Sequence, residues 1–165
     1  MKRTLFCLII ISALSCSVQN KARKQALAMT RAITSNNYEE TLKYTHPNVI
    51  KMIGGNQKFI EILKIGTNEM QNMGNKYESI EIGKPSQTVK AGNEIHCLIP
   101  ETIKMQLKDG KMISKSYLLA VTKDKGKNWT FIETALLTNS NIISILPTYN
   151  KSLVIPEKEV PQYFK

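Results

Sequence analysis

The hydrophobic period of this chain changes once, near Gly74, and that change restricts the folds open to it. Before Gly74 apolar residues recur at helical spacing; after it they alternate with polar ones, so helices should come first and strands second. From Lys21 to Thr34, Ala22, Ala26, Met29 and Ile33 fall at i, i+4, i+7 and i+11, one stripe along a helix. Asn37 with Glu40 three residues on has the form of a capping box and opens a second short helix, with Tyr38 and Leu42 on one side. His46-Pro47 is expected to end it. A third helix follows Gly54-Gly55-Asn56, carries Phe59, Ile62, Leu63, Met70 and Met73, and stops at Gly74.

The strands read as residues 77–82, a break at Gly83-Lys84-Pro85-Ser86, residues 87–90, a turn at Ala91-Gly92-Asn93, and a long strand over 94–107. Asp109-Gly110 signals a hairpin into residues 112–122, and Asp124 to Lys127 turns again into residues 129–134. Helices followed by strands joined through short turns specify an α+β domain, with three N-terminal helices packed on one face of an antiparallel sheet.

The N-terminus has the composition of an export signal. Lys2 and Arg3 are cationic, residues 5–14 are almost wholly apolar, and small residues lead to Cys16. The run is about half the ~20 residues needed to span a bilayer. Ala13-Leu14-Ser15-Cys16 resembles a bacterial lipobox, with Ala13 where that pattern usually has Leu. The resemblance implies acylation of the Cys16 thiol, a membrane partner held through the lipid anchor, and a place in the bacterial cell envelope. An ordinary cleavable signal is the alternative, and it also puts the chain outside the cytoplasm. The organisation expected is a signal peptide over 1–15, a lipidated linker over 16–20, a domain over 21–137 and a C-terminal extension over 138–165.

Cys7 leaves with the signal and Cys16 is the acylation site, so Cys97 remains alone, without a disulfide partner. Within Ile95-His96-Cys97-Leu98-Ile99 it reads as a small buried hydrophobe. Loss of Lys2 and Arg3 takes the formal charge from +10 to +8. That balance suits anionic headgroups, acidic polysaccharide or an acidic partner; no nucleic-acid motif accompanies it.

The helical segments, Tyr44-Thr45-His46-Pro47-Asn48-Val49-Ile50, the Gly54-Gly55 turn and the long meander together resemble the nuclear-transport-factor-2-like, or SnoaL-like, superfamily over about Lys21 to Thr134. The resemblance implies a cone whose curved sheet and helices enclose a pocket, in a superfamily that includes isomerases, dehydratases, cyclases and proteins that only bind. Thr122-Lys123-Asp124-Lys125-Gly126-Lys127-Asn128-Trp129 resembles an Asp-box, with Asn128 in place of the usual Thr. In that pattern Asp124 bonds backbone amides, Gly126 takes positive φ and Trp129 packs beneath the turn, closing a hairpin.

Pairing across the hairpins yields the main candidate site. A loop centred on Asp109-Gly110 sets Leu107 opposite Met112, hence Glu101 opposite Leu118, Thr102 opposite Tyr117, Lys104 opposite Lys115 and Lys108 opposite Lys111. The second turn sets Leu118 opposite Glu133. Glu101 and Glu133 then flank Leu118 on one face, with Cys97, Ile99, Ile103, Met105, Trp129 and Phe131 around them. Carboxyls against apolar neighbours have raised pKa values and suit acid-base work or the holding of a cationic or hydroxylated ligand. A bulge at Pro100 would instead turn Glu101 outward.

The candidate catalytic residues are therefore Glu101, Glu133, His46 and Tyr117. Met105, Leu118, Trp129 and Phe131 are the candidate pocket lining. His46 and His96 show no metal-ligand spacing, and no metal or cofactor is expected. The lysines at the hairpin tip read as splayed into water or as an anion-binding strip. The functional reading is noncatalytic binding of a small apolar or amphipathic ligand or of a protein partner. Two alternatives stay open: a SnoaL-like isomerase, dehydratase or hydrolase, and a structural subunit that forms a homodimer through its sheet.

Overall fold

Helix α1 runs over Arg3–Thr34 in the computed structural model, which describes residues 3–137 and 141–165, with side chains from Ser17 onward except Leu136. The helix expected over 21–34 is its inner part, and the backbone stays helical through the junction placed between signal and domain. Cys16 lies on α1, but its side chain is outside the described ones. Among the described residues no helix is long and apolar enough to cross a membrane.

Four helices precede the sheet rather than three: α1, α2 (Tyr38–Tyr44), α3 (Pro47–Ile53) and α4 (Asn56–Asn72). The extra one is α3. His46 ends α2, as its sequence suggests, but its Nδ1 also accepts the Asn48 amide at 3.2 Å, Pro47 occupies the first turn, and Gly54 closes the helix at φ 107. Proline at the first helical position lacks only an amide that has no helical partner there, so His46-Pro47 starts a helix as well as stopping one. Asn37 caps α2 as expected, its Oδ1 accepting the Glu40 amide at 3.1 Å.

The strands are β1 (Lys76–Ile82), β2 (Val89–Ala91), β3 (Glu94–Leu107), β4 (Gly110–Thr122), β5 (Thr130–Glu133) and β6 (Gln162–Phe164). They form one antiparallel sheet in the order β1-β3-β4-β5, with β2 on β3 beyond β1 and β6 on β4 beyond β5. With 38% helix and 31% strand, the chain is of the α+β class.

The first hairpin is tighter than its Asp109-Gly110 signal suggests. Leu107 pairs with Gly110, leaving Lys108 and Asp109 as the loop. Every β3–β4 pairing therefore slips by two residues from the expected one: Glu101 faces Ser116, Pro100 faces Tyr117, and Lys104 faces Ile113. A slip of two preserves the side-chain face, whereas a slip of one reverses it. The register runs through Pro100 without a bulge, and Leu118 pairs with Glu133 as expected. The lysines do not form an opposed strip: Lys104, Lys111 and Lys115 reach Glu81, Glu78 and Glu159.

Two apolar layers cover the sheet. On one face Ala22, Ala26 and Met29 of α1 pack on Ile82, Cys97, Ile99, Leu118, Ala120, Trp129 and Phe131. On the other, Leu98, Leu119, Val121 and Ile132 are covered by Ile142 and Ile145 of α5 (Ile142–Ile145), Leu146 and Leu153. Each fully buried side chain of this size contributes about 1.5–3 kcal/mol of transfer free energy. The C-terminal segment is thus packed on this face of the sheet through Ile142, Ile145, Leu146 and Leu153.

Polar side chains of α1 fix its position. Gln19 Nε2 donates to Ser86 O at 2.6 Å, and Arg23 donates to the carbonyls of Ile82 and Gly83. Gln25 donates to Lys127 O at 2.9 Å while its Oε1 accepts the Trp129 amide at 2.8 Å. In the turn above, Asp124 Oδ1 accepts the amides of Lys127 and Asn128, Gly126 has φ 85, and Trp129 Nε1 donates to Gly126 O.

Candidate functional site

Strand alternation puts Glu101 on the face shared by Cys97 and Ile99, and Glu133 on the face shared by Trp129 and Phe131, so both carboxyls join the helix-facing layer. Glu101 is 4% exposed. Its Oε2 accepts the Ser116 hydroxyl at 3.3 Å, while Glu133 Oε1 accepts the Ala135 amide at 3.1 Å and starts the 3-10 turn Thr134–Leu136. Burial, and after it the charge of Glu133 and a hydrogen bond to it, pushes the Glu101 carboxyl up to about 8, against a smaller opposing contribution from Ser116. The Glu101 carboxyl therefore keeps its proton in the neutral range.

Tyr77 connects this pair to a cavity. Its hydroxyl is pushed above its ordinary range by burial first and then by the charges of Glu101 and Glu133. The same residue lines a chamber of about 340 Å³, together with Ile33 of α1, Tyr38 and Thr41 of α2, and Leu63 and Met70 of α4. That volume falls in the range of small-molecule sites, about 300–1,000 Å³. Gly66 leaves open space on the α4 side, because a Cβ built there meets nothing within 4 Å. The walls are aliphatic and aromatic with a few hydroxyls, and the acid pair lies behind the tyrosine.

His46 and Tyr117 are not brought to the acid pair. Tyr117 packs on the opposite sheet face, beside the layer of Leu98 and Leu119, and its amide donates to Thr134 Oγ1 at 3.2 Å. The charges acting on His46 are those of Glu94, Lys123 and His96. Burial lowers its pKa to about 4, so the ring is neutral. Leu118, Trp129 and Phe131 are each 1% exposed and packed in the core, and Met105 is half-buried between Tyr77 and Met112. Cys97 is fully buried, and burial pushes its thiol up to about 12, which keeps it protonated and unreactive.

Sequence reasoning missed a second polar cluster. Glu94, 6% exposed, accepts from Thr148 and lies 3.0 Å from His96 Nε2 and 3.3 Å from Lys123 Nζ. Its carboxyl is held below the ordinary range by these hydrogen bonds, which outweigh the larger single effect of burial. His46 Nε2 and His96 Nδ1 are buried without a hydrogen-bond partner among the described residues. The period-2 pattern exposed His96 as facing away from Cys97, but Thr148 lies far along the chain and nothing local marks it. The chamber lining was also missed, although Gly66 inside a helical stretch and Thr41 and Thr67 on apolar faces were signals for it. Among the described residues no group of three or more His, Cys, Asp or Glu side chains is arranged to hold a metal ion.

Comparison of the chain with family models, with curated proteins and with solved structures finds no match in any of the three.

Proposed function

We propose that this chain is an exported envelope protein, anchored through an acylated Cys16, whose nuclear-transport-factor-2-like domain holds a small amphipathic molecule without transforming it. The observation that carries the binding half is the buried Glu101–Glu133 pair behind Tyr77 at an apolar chamber. A protonated Glu101 carboxyl presents both a donor and an acceptor, and it suits a hydroxyl or other polar group at the ligand's polar end. Ile33, Leu63 and Met70 would take the apolar body. The cis coverage of the outer sheet face favours this chamber over the sheet as the place of binding.

Acid-base catalysis is the second reading, and the raised Glu101 pKa favours it: a carboxyl that keeps its proton near neutrality has the driving force a general acid needs. Native mass spectrometry of protein purified from its own envelope separates these readings. A co-purifying small molecule that is released unchanged, and is lost from a Gly66→Phe variant, supports binding. A released product that differs from the loaded molecule in wild type but not in Glu101→Gln supports catalysis. An empty chamber in every preparation contradicts both.

A further inference from the structure

At one end of the domain exposed lysines stand with few acids near them in sequence. The turns between β2 and β3 and between β4 and β5 lie at the end of the sheet where β3 begins and β4 stops, since Ile95 pairs with Thr122 and Val89 with His96. The β1–β2 connection approaches that end alongside β3, the amides of Gly83 and Ser86 donating to the carbonyls of Pro100 and Leu98. Helix α1 passes that end as it runs back toward its N-terminus. Val18 Cγ1 would lie 2.8 Å from a Cβ at Gly126, and Gln19 is bonded to Ser86. The helix then continues to Arg3 through the apolar run over residues 5–14.

Around this exit stand Lys21, Lys84, Lys90, Lys125 and Lys127, all exposed. None is among the ion-paired lysines of the described residues. Residues 83–93 and 123–129 and the α1 segment over 17–25 contain one acid, Asp124, and Glu94 follows directly. Both are already engaged: Glu94 by His96, Thr148 and Lys123, and Asp124 by the amides of Lys127 and Asn128. On the sheet, by contrast, Lys104, Lys111 and Lys115 are paired with Glu81, Glu78 and Glu159.

We infer that this end of the domain is a lipid-facing surface, and that the lysine collar around the α1 exit seats it on an anionic bilayer. The inference rests on the proposed acylation of Cys16, which lies on α1 just before this exit, and it adds an orientation that attachment alone does not give. Unpaired lysines beside a hydrophobic anchor are attracted to anionic headgroups within about one Debye length of the surface. Seated this way, the β3–β4 hairpin tip with Lys108 and Asp109 points away from the bilayer, and the chamber opens along its flank.

The test uses the mature acylated chain, purified from its own envelope, on vesicles of phosphatidylcholine alone or with a third phosphatidylglycerol, each containing a dansyl-headgroup lipid. Trp129 is the sole tryptophan and sits in the β4–β5 turn, so energy transfer from it to dansyl reports how close this end lies to the headgroups. Flotation reports attachment separately. The result expected is flotation with both compositions, and stronger transfer on anionic vesicles. That increment should be lost in 1 M salt, where the screening length falls to about 3 Å, and in the K84E/K125E/K127E variant. Equal transfer on both compositions, or an increment that survives charge reversal, overturns the collar while leaving attachment intact. Failure to float on phosphatidylcholine overturns the attachment reading. Salt-sensitive flotation of wild type, but not of the triple variant, on anionic vesicles then still supports the collar, and its absence overturns that too.

Discussion

Glu101 on β3 and Glu133 on β5 meet across β4 on the helix-facing side of the sheet, one carboxyl 4% exposed and the other tied to the Ala135 amide. Apolar packing by Ile99 and Leu118 removes the water that would solvate the Glu101 carboxylate, so Glu101 retains its proton at a pH where a free carboxyl has lost it. The account of this domain as a binding chamber depends on that retained proton.

Its first consequence is a pH dependence of opposite sign to ordinary acid denaturation. Because the folded pKa of Glu101 lies above the unfolded value of 4.5, the native state binds more protons between 4.5 and about 8, and stability falls as pH rises through that window. Glu101→Gln keeps the shape and removes the titration. Its stability should exceed that of wild type at pH 8, by about 4 kcal/mol at most, and the two proteins should converge near pH 4.5. Denaturant melts at the two pH values check this.

His46 works in the other direction. Its folded pKa is lowered from 6.5 to about 4, so the unfolded chain takes up protons first and stability is lost as pH falls from 6.5 toward 4, by roughly 3 kcal/mol at most. His46→Asn should keep the cap on α3, since asparagine is a good N-cap residue, and abolish that loss. His46→Ala should in addition lose about 1 kcal/mol at every pH. Urea midpoints of the three proteins at pH 4.5 and pH 7 distinguish the contributions.

Gly66 separates chamber from fold. Gly66→Ala meets no atom within 4 Å and should stabilise α4 by about 0.5–1 kcal/mol. Gly66→Phe should fill the chamber, leave the circular dichroism spectrum unchanged, and weaken binding of a neutral amphipathic dye such as N-phenyl-1-naphthylamine at least about tenfold, equivalent to 1.4 kcal/mol.

Gly126 joins the turn to α1. At φ 85, with Val18 Cγ1 2.8 Å from a Cβ placed there, Gly126→Ala meets both backbone strain and a steric clash and should cost about 1–3 kcal/mol. Val18→Ala in the same chain should recover only the steric part, which thermal melts of the single and double variants measure.

Much of the fold was legible because the relevant signals are local. The switch of period at Gly74, the Asn37 cap and the Asp124-Gly126-Trp129 turn each depend on residues a few positions apart, and the structure has all three. Glu101 and Glu133 were placed on one face despite a wrong register, because face depends on parity and the slip was even. The missed α3 reflects the two roles of His46-Pro47, which stops one helix and starts the next. The chamber left only local hints, such as Gly66 within α4, and the Glu94–His96–Thr148 cluster none at Thr148, because both are assembled from segments far apart in sequence.

Carbon-13 NMR titration of the Glu101 and Glu133 side-chain carboxyls, assigned with the Glu101→Gln and Glu133→Gln variants, tests the retained proton most directly. The account predicts one carboxyl step with a midpoint well above the ordinary range, near 8, that disappears in Glu101→Gln. A Glu101 step close to the ordinary value of 4.5 would contradict it.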